Sequence, residues 1–507
     1  MGRRNGTRRI NPYQFEGFLA SALQGINLSS FVRISLDKLS AALAGAASKA
    51  VMPPHLLLKA VDSACAYCDH NGGRIAAYSD LQRVIEVFML HEDNCKTQLL
   101  RDLGIHSMML QLQREQFRIQ RSNGASDVGR AYKLLRFDQP SSRLNVALKE
   151  MQGYSVRDWI TVHTAAYGSV LATGANRLAD HFVRRDWAPL IETPSGLARV
   201  LGSMAHSCEY IRQSYYESRG DKEEWYAQSF LLPSFYDRPL LQIGDKYYCA
   251  SGDILLDNMI QGITSLQIEG KVGHRVDDEI HRSQVEYIAQ VLHATFPGTQ
   301  IVDEDALRDI AAGRQHCDVA VVHPKWILLI EAKSFRRVAQ SVAPESMGRH
   351  GMAKHLITGL EQVESTAEMV GEIVKLAGQE PTMERAVLGV VVTLQNIEAP
   401  NSEWFRESVL RGRDPTVVDR VMASPHLSCR PVIWDLRTLD TVAMYCAQHQ
   451  VDLYALFKER EQADFMLHGD WSIALGKRIS RVSAPLLALW ASPLDEHYSW
   501  LGARRLS

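Results

Sequence analysis

Long apolar runs are absent from the chain, since no stretch of about 18 consecutive hydrophobic residues occurs in it. A membrane-spanning helix needs such a stretch, so we expect no membrane association. The opening stretch MGRRNGTRRI is basic and no apolar segment follows it, which argues against a secretory signal peptide. The sequence therefore predicts a cytoplasmic protein.

A strong net charge is also absent, because the formal charge is −2 at pH 7. No global basic field attracts nucleic acid, so any such partner must be bound by a local surface. The eight cysteines are scattered along the chain, which is typical of reduced thiols in the cytoplasm. With 507 residues, 46% of them hydrophobic and 22% charged, the chain is predicted to form two or three globular domains.

Residues 1–225 are predicted to be mainly helical. Apolar residues recur there at spacings of three and four, in segments such as 36–51, 81–90 and 193–216. No repeat of fixed period occurs, so a solenoid is not indicated. A target sensor, a homo-oligomer contact and a platform for a protein partner remain open as roles for this region.

Residues 226–462 are predicted to form an α/β domain with its lead-in, and residues 463–507 a helical extension. The predicted elements, in order, are β-like runs and a helix at 234–260, a helix at 276–296, strands at 318–322 and 326–330, a helix at 345–376, strands at 386–394 and 430–436, and helices at 437–462. Strands that alternate with long helices indicate a buried sheet covered by helices.

The stretch WILLIEAK ends an apolar run with two opposite charges, Glu331 and Lys333. If this strand forms a hairpin with the preceding one, and its turn is centred between Pro324 and Lys325, Asp318 lies directly opposite Glu331. Opposed residues of an antiparallel pair point to the same face, and Lys333 shares it because side chains alternate along a strand. A longer loop is the alternative, since proline does not suit the tightest hairpin turns.

Two carboxylates at the end of apolar strands repel each other, and one should become protonated unless a cation lies between them. A divalent ion with oxygen ligands, above all Mg²⁺, meets that need. Lys333 cannot bind the ion while charged, but it can orient or deprotonate an attacking water or stabilise developing negative charge. The simpler alternative is that Glu331 and Lys333 form an ordinary ion pair at a strand end.

Asp318, twelve further residues, and then Glu331 and Lys333 in E-A-K after a hydrophobic strand resemble the core motif of the PD-(D/E)xK nuclease superfamily. The resemblance covers roughly 270–450, and Cys317 stands where the name of the superfamily has proline, which many members also lack. It implies a restriction-endonuclease-like mixed β-sheet flanked by helices, preceded here by the mainly helical N-terminal region.

The resemblance also implies roles for residues outside the motif. A helix before the hairpin often adds an acidic ligand, and Glu286 lies beside the apolar face of the predicted helix, with Glu279 as the alternative. Glu286, Asp318 and Glu331 would then bind magnesium, while the motif lysine serves the attacking water. Gln362 matches a polar residue that the following helix often directs at the site, where it would contact substrate.

The expected function is therefore a magnesium-dependent endodeoxyribonuclease, with Mn²⁺ as a substitute for Mg²⁺. Roles in antiviral defence and in DNA repair both fit the resemblance. Two alternatives remain open: a non-catalytic nucleic-acid-binding or assembly protein that keeps the nuclease fold, and a nuclease directed at RNA.

A zinc site is a further hypothesis for the N-terminal region. Cys65 and Cys68 form a CxxC, and His91 and Cys95 follow on a later predicted helix, so the four could converge on a tetrahedral ion. The alternative is that small cysteines on two helices face a hydrophobic core, where cysteine is often found.

Overall fold

The computed structural model of the chain describes most of its residues. The described residues are 12–43, 52–102, 124–173, 190–193, 195–217, 234–236, 238–265, 270–334, 351–380, 384–394, 397, 400–403, 405–462, 471–476, 478–479, 486, 488–490 and 495. Contacts between them divide the chain into two units. The first unit comprises Met1–Gly124 and Leu148–Ile263, and the second comprises Ala125–Ala147 and Thr264–Leu506. The domain boundaries expected near 225 and 462 stay predictions.

The described helices and strands carry the following names. The α-helices are α1 (Pro12–Leu23), α2 (Leu28–Leu43), α3 (Pro54–Tyr67), α4 (Tyr78–Asp102), α5 (Gly124–Leu134), α6 (Arg143–Gln152), α7 (Val156–Thr173), α8 (Gly196–Met204), α9 (Cys208–Glu217), α10 (Gly252–Ser265), α11 (Gly270–Thr295), α12 (Glu304–Ala311), α13 (Gly351–Ala367), α14 (Val370–Leu376), α15 (Pro415–Met422), α16 (Leu436–His449), α17 (Leu453–Gln462) and α18 (Trp471–Gly476). The strands are β1 (Ala205–Ser207), β2 (Leu240–Ile243), β3 (Lys246–Cys249), β4 (Gln300–Asp303), β5 (Val319–Val322), β6 (Trp326–Lys333), β7 (Ala386–Thr393) and β8 (Val432–Asp435).

The first unit packs amphipathic helices around an apolar core. Helix α2 buries Leu28, Phe31, Val32 and Leu39, the spacing of three and four that places side chains on one helical face. A small sheet accompanies the helices, with β1 parallel to β2 and β2 antiparallel to β3. Gly244 and Asp245 form the turn that joins β2 and β3.

The second unit contains a mixed five-stranded sheet in the order β4-β5-β6-β7-β8. Strands β4, β5 and β6 pair antiparallel, whereas β6, β7 and β8 pair parallel. Every residue of β5 is buried, and so are the first seven of the eight in β6. Because successive side chains of a strand point to opposite faces, the sheet is covered on both sides, as the continuous apolar runs predict.

The predicted α/β class is confirmed at the level of a mixed α/β structure. The helix predicted at 345–376 is two helices, α13 and α14, separated at Glu368 and Met369, while residues 345–350 lie outside the described part. Among the described residues, no helix combines the length and apolar character that crossing a bilayer requires.

A buried polar network fixes helix α11 within the second unit. Tyr287 on α11 donates a hydrogen bond to Asp440 Oδ1 on α16 at 2.7 Å, and Trp490 Nε1 donates to the Tyr287 hydroxyl at 3.1 Å. Arg130 on α5 donates to Asp440 from Nε at 2.9 Å and from NH2, and to Asp127 at 2.9 Å. Since Arg130 and Asp440 are almost fully buried, the charge of Asp440 depends on Arg130 for its compensation.

Replacing Arg130 by alanine should destabilise the second unit by about 3–5 kcal/mol, because it leaves a buried carboxylate without its cation. Arg308→Ala is the matched control. Arg308 is about half exposed and pairs with Glu304 and Asp305 on the surface, where an ion pair contributes about 1 kcal/mol or less. Denaturant unfolding measures both free energies, and equal losses would contradict the importance of the network.

Candidate active site

Strands β5 and β6 form a hairpin in the register that the sequence predicts. Val319 pairs with Ile330, and continuing this register by one place sets Asp318 opposite Glu331. The backbone N–H of Asp318 donates to Ile330 O at 3.1 Å, which holds the two strands together at this point. The loop is the two-residue connection 324–325, so the proline does not force a longer one. The prediction of the register is confirmed.

Asp318 is anchored at the end of the hairpin by both of its carboxylate oxygens. Its Oδ2 accepts a hydrogen bond from Ala332 N at 2.7 Å, and its Oδ1 lies 3.4 Å from His281 Nε2 on α11. This contact with the carboxylate raises the pKa of His281 against the opposing effect of burial. A negative charge is thereby fixed beside the end of β6.

Glu331 carries a carboxyl group in an apolar environment, with 2% of the residue exposed. Its Oε1 accepts a hydrogen bond from Lys333 Nζ at 2.5 Å, whereas its Oε2 is buried without a hydrogen-bond partner. Burial, the largest cause, and the negative charge of Asp318 together raise the pKa of Glu331 to about 8, against the opposing effect of Lys333. The single positive charge of Lys333 therefore does not compensate the negative charges that Asp318 and an ionised Glu331 would carry together.

Lys333 connects the hairpin to helix α13. Its Nζ also donates to Gln362 Oε1 at 2.8 Å, and Gln362 Nε2 donates to His316 O at 3.0 Å. The helix approaches closely because Gly359 has no side chain, since a Cβ there would lie 3.2 Å from Lys333 Cε. The structure thus brings Gln362 into direct contact with the lysine, on the side that the sequence predicts.

The structure does not bring Glu286 to the hairpin. Glu286 is half exposed and accepts hydrogen bonds from Arg136 at 3.0 and 3.1 Å. Glu279, one heptad earlier on the same helical face, accepts from Leu144 N at 2.7 Å. A helix turns about 100° per residue, so Glu286 lies about 140° around α11 from His281. The helical residue that reaches Asp318 is His281.

The buried stripe of α11 explains why His281 was missed. The stripe includes a polar residue, Gln284, which is fully buried and donates to Val392 O at 3.0 Å. His281 lies three positions before Gln284 and seven before the buried Ile288, so all three share one face. A search for polar residues at helical spacing along the stripe, rather than beside it, would have found His281.

Metal ligands are grouped most closely elsewhere in the described part of the chain. There, the only group of three or more His, Cys, Asp or Glu residues whose ligand atoms all lie within 4.8 Å of one another is His70, Cys208 and Glu209. The carboxylates predicted for magnesium do not form such a group. Two of them, Asp318 and Glu331, still offer oxygen ligands at the end of the hairpin, and a cation there would meet the otherwise unpartnered Glu331 Oε2.

Three of the four residues considered for zinc, Cys65, Cys68 and His91, have described side chains, and all three are buried. Cys65 and Cys68 belong to the hydrophobic core of the first unit, which agrees with the alternative of buried cysteines. The ring of His91 stacks on Phe15 with centroids 3.8 Å apart, and burial lowers its pKa to about 4. The side chain of Cys95 lies outside the described part.

Comparison with protein-family models, curated proteins and solved structures finds no match to the chain. The candidate site is therefore defined by its geometry. An aspartate and a buried glutamate oppose each other across two strands, and a lysine and a glutamine extend the group along one side. Such an arrangement can bind a hard cation and hold an ammonium group beside it.

Replacing Glu331 by glutamine should stabilise the protein in a pH-dependent way. The folded-state pKa of Glu331 is raised from 4.5 to about 8, so its folding penalty is absent below the lower value and complete above the higher one. In metal-free buffer the melting temperature of Glu331→Gln should match the wild type near pH 4 and exceed it near pH 9. A variant that melts lower near pH 9 would show that the ion pair with Lys333 dominates.

Proposed function

We propose that the second unit is a metal-dependent nuclease with a restriction-endonuclease-like fold that hydrolyses phosphodiester bonds in DNA. The observation that carries this proposal is the hairpin register, which opposes Asp318 to Glu331, with Lys333 two positions further along β6 on the same face. A mixed sheet flanked by helices supplies the rigid support that such a site requires.

Asp318 and Glu331 would hold the Mg²⁺ ion, and Mn²⁺ would replace it. The unpartnered Glu331 Oε2 and the raised pKa of this carboxyl support the assignment, because both indicate a missing positive charge. His281 would be the helix residue nearest to the ion through its contact with Asp318. When bound, the ion would polarise the phosphate and favour ionisation of the attacking water.

Lys333 would act on the phosphate and the water through its ammonium group. Gln362 Oε1 and Glu331 Oε1 hold Nζ between them, at 2.8 and 2.5 Å, so its position is set before substrate binds. An ammonium group held in this way stabilises the negative charge that develops on the phosphate oxygens during attack. Gln362 would position the lysine, and it is also the residue of α13 that we expect to contact the substrate.

A non-catalytic nucleic-acid-binding or assembly protein is the second candidate. The direct contact between Lys333 and Glu331 favours it, because an ion pair at a strand end needs no further ligand. The two candidates differ in whether the site of Asp318, Glu331 and Lys333 hydrolyses a phosphodiester bond. A nuclease that prefers RNA is an outcome of the same assay with paired DNA and RNA substrates.

Lys333→Ala should lower the rate of DNA cleavage in Mg²⁺ by at least about 100-fold, the range typical for loss of a group that assists proton transfer or charge development. The fold should persist, since Lys333 ends its strand and is only partly buried. Lys325→Ala is the matched control, because this lysine lies in the exposed turn of the same hairpin. Cleavage of plasmid and linear DNA, followed by gel electrophoresis, measures the rates.

An intact, folded wild-type protein that cleaves neither DNA nor RNA with Mg²⁺ or Mn²⁺ would support the non-catalytic candidate. Near-native cleavage by Lys333→Ala would remove the role of the lysine while leaving a nuclease.

His281→Ala should weaken Mn²⁺ binding more than Glu286→Gln does. His281 contacts the carboxylate that would hold the ion, whereas Glu286 is paired with Arg136 on the exposed face of α11. Loss of a group next to a metal ligand costs about 10- to 100-fold in affinity. Calorimetric titration with Mn²⁺ measures both variants, and a larger loss in Glu286→Gln would restore the glutamate as the ligand from the helix.

A further inference from the structure

A second group of metal-ligand side chains lies in the first unit, where two distant segments meet. His70 follows helix α3, in a segment tied to the chain before α2: Asp69 N donates to Ile26 O at 2.9 Å, and Leu28 N donates to Asp69 O at 3.0 Å. Cys208 and Glu209 begin helix α9 directly after strand β1. Backbone hydrogen bonds therefore fix the segment that carries His70, and a strand and a helix fix the other two residues.

The three ligand atoms form a nearly regular triangle. Cys208 Sγ lies 3.6 Å from His70 Nδ1 and 3.3 Å from Glu209 Oε1, and His70 Nδ1 lies 3.9 Å from Glu209 Oε1. Tetrahedral Zn²⁺ with ordinary bond lengths to sulfur, nitrogen and oxygen spaces its ligand atoms about 3.4–3.6 Å apart. One ion fits this triangle with shifts of a few tenths of an ångström.

The hydrogen bond on the other ring nitrogen prepares the histidine for binding. His70 Nε2 lies 3.1 Å from Cys65 O, and a carbonyl oxygen can only accept, so Nε2 carries the proton. The lone pair of Nδ1 then points to the triangle. A metal-binding histidine is commonly held in this way, with its second nitrogen donating to a backbone carbonyl.

The charges around Cys208 also favour a cation. Cys208 is buried and its Sγ lies 3.3 Å from Glu209 Oε1, so a bound cation would meet a sulfur and a carboxylate side by side. The position of the sulfur at the start of α9 favours the thiolate once a cation is bound. A thiol next to a carboxylate is a poor nucleophile, whereas it is a good ligand for a borderline-soft metal ion.

We propose that His70 Nδ1, Cys208 Sγ and Glu209 Oε1 bind one Zn²⁺ ion. The Glu209 side chain is 74% exposed, so the fourth coordination position opens to solvent. Sulfur and imidazole ligands favour zinc over magnesium, which prefers oxygen ligands alone. The ion joins segments 138 residues apart in the chain and therefore stabilises the folded first unit.

The site differs from the zinc site considered from the CxxC. Cys65 contributes its carbonyl oxygen rather than its sulfur, and the cysteine ligand comes from the start of α9 instead of from α4. The residues are also separate from Asp318, Glu331 and Lys333. Zinc binding and phosphodiester hydrolysis can therefore succeed or fail independently in experiments on the same protein.

Zn²⁺ added to the metal-free full-length protein should bind with a stoichiometry of one and raise the melting temperature. Glu209→Gln, a change of one exposed group, should weaken binding by about tenfold, and Cys208→Ala and His70→Ala by about 100-fold or more. Cys249→Ala is the matched control, since Cys249 is a buried cysteine of the same unit whose Sγ contacts Ser251 O. Calorimetry measures the affinities, and circular dichroism checks each fold.

The absorption spectrum of bound Co²⁺ tests directly whether the sulfur of Cys208 binds the metal, because a purely structural role of Cys208 would not give a sulfur-to-metal band. Cobalt bound through Cys208 should give a sulfur-to-metal charge-transfer band, which Cys208→Ala removes and Glu209→Gln keeps. The proposal is overturned if the wild type binds no Zn²⁺, if Glu209→Gln and Cys208→Ala both bind like the wild type, or if Cys249→Ala loses binding equally. A charge-transfer band that persists in folded Cys208→Ala would assign the sulfur ligand to another cysteine and also overturn it.

Discussion

The burial of one carboxyl group, that of Glu331, is the constraint on which the hairpin site depends. An apolar strand that ends in a glutamate must leave it protonated or supply positive charge, because desolvation penalises the ionised form. Lys333 supplies part of that charge from two positions further along the strand, while Asp318 adds a second negative charge across the hairpin. The glycine at 359 and the amide of Gln362 then serve the lysine, by giving it room and a second partner.

The rotation of helix α11 decides which of its side chains can take part. Tyr287 is bound to Asp440, and Asp440 to Arg130, so the helix cannot turn without breaking a buried network of charges. With Tyr287 inward, His281 faces Asp318 and Glu286 faces Arg136. A buried ionic network of this kind contributes specificity of arrangement more reliably than net stability.

The sequence predicts features that depend on residues close together in the chain, and it does not predict features that depend on contacts between distant residues. The hairpin register follows from a turn and two short apolar strands, so Asp318, Glu331 and Lys333 could be placed together from residues close in the chain. Most helices and strands also follow from periodicity. The choice of His281 over Glu286 depends on Arg130 and Asp440, which are 310 positions apart, and no local pattern reports their contact. The group of His70 and Cys208 was missed for the same reason, because its members come from distant segments.

The two candidate metal sites share one physical property although their ligands differ. Each contains an acidic group whose pKa is raised by burial and a neighbouring carboxylate, to about 8 for Glu331 and about 11 for Cys208. In both, a metal ion competes with a proton for the same atom, so the affinity for the ion must increase with pH. The thiol holds its proton more tightly, and only an ion that binds sulfur strongly can displace it at neutral pH. The carboxyl yields its proton to a hard ion more readily, so donor-atom chemistry would favour zinc at the proposed site of the first unit and magnesium at the proposed site of the second.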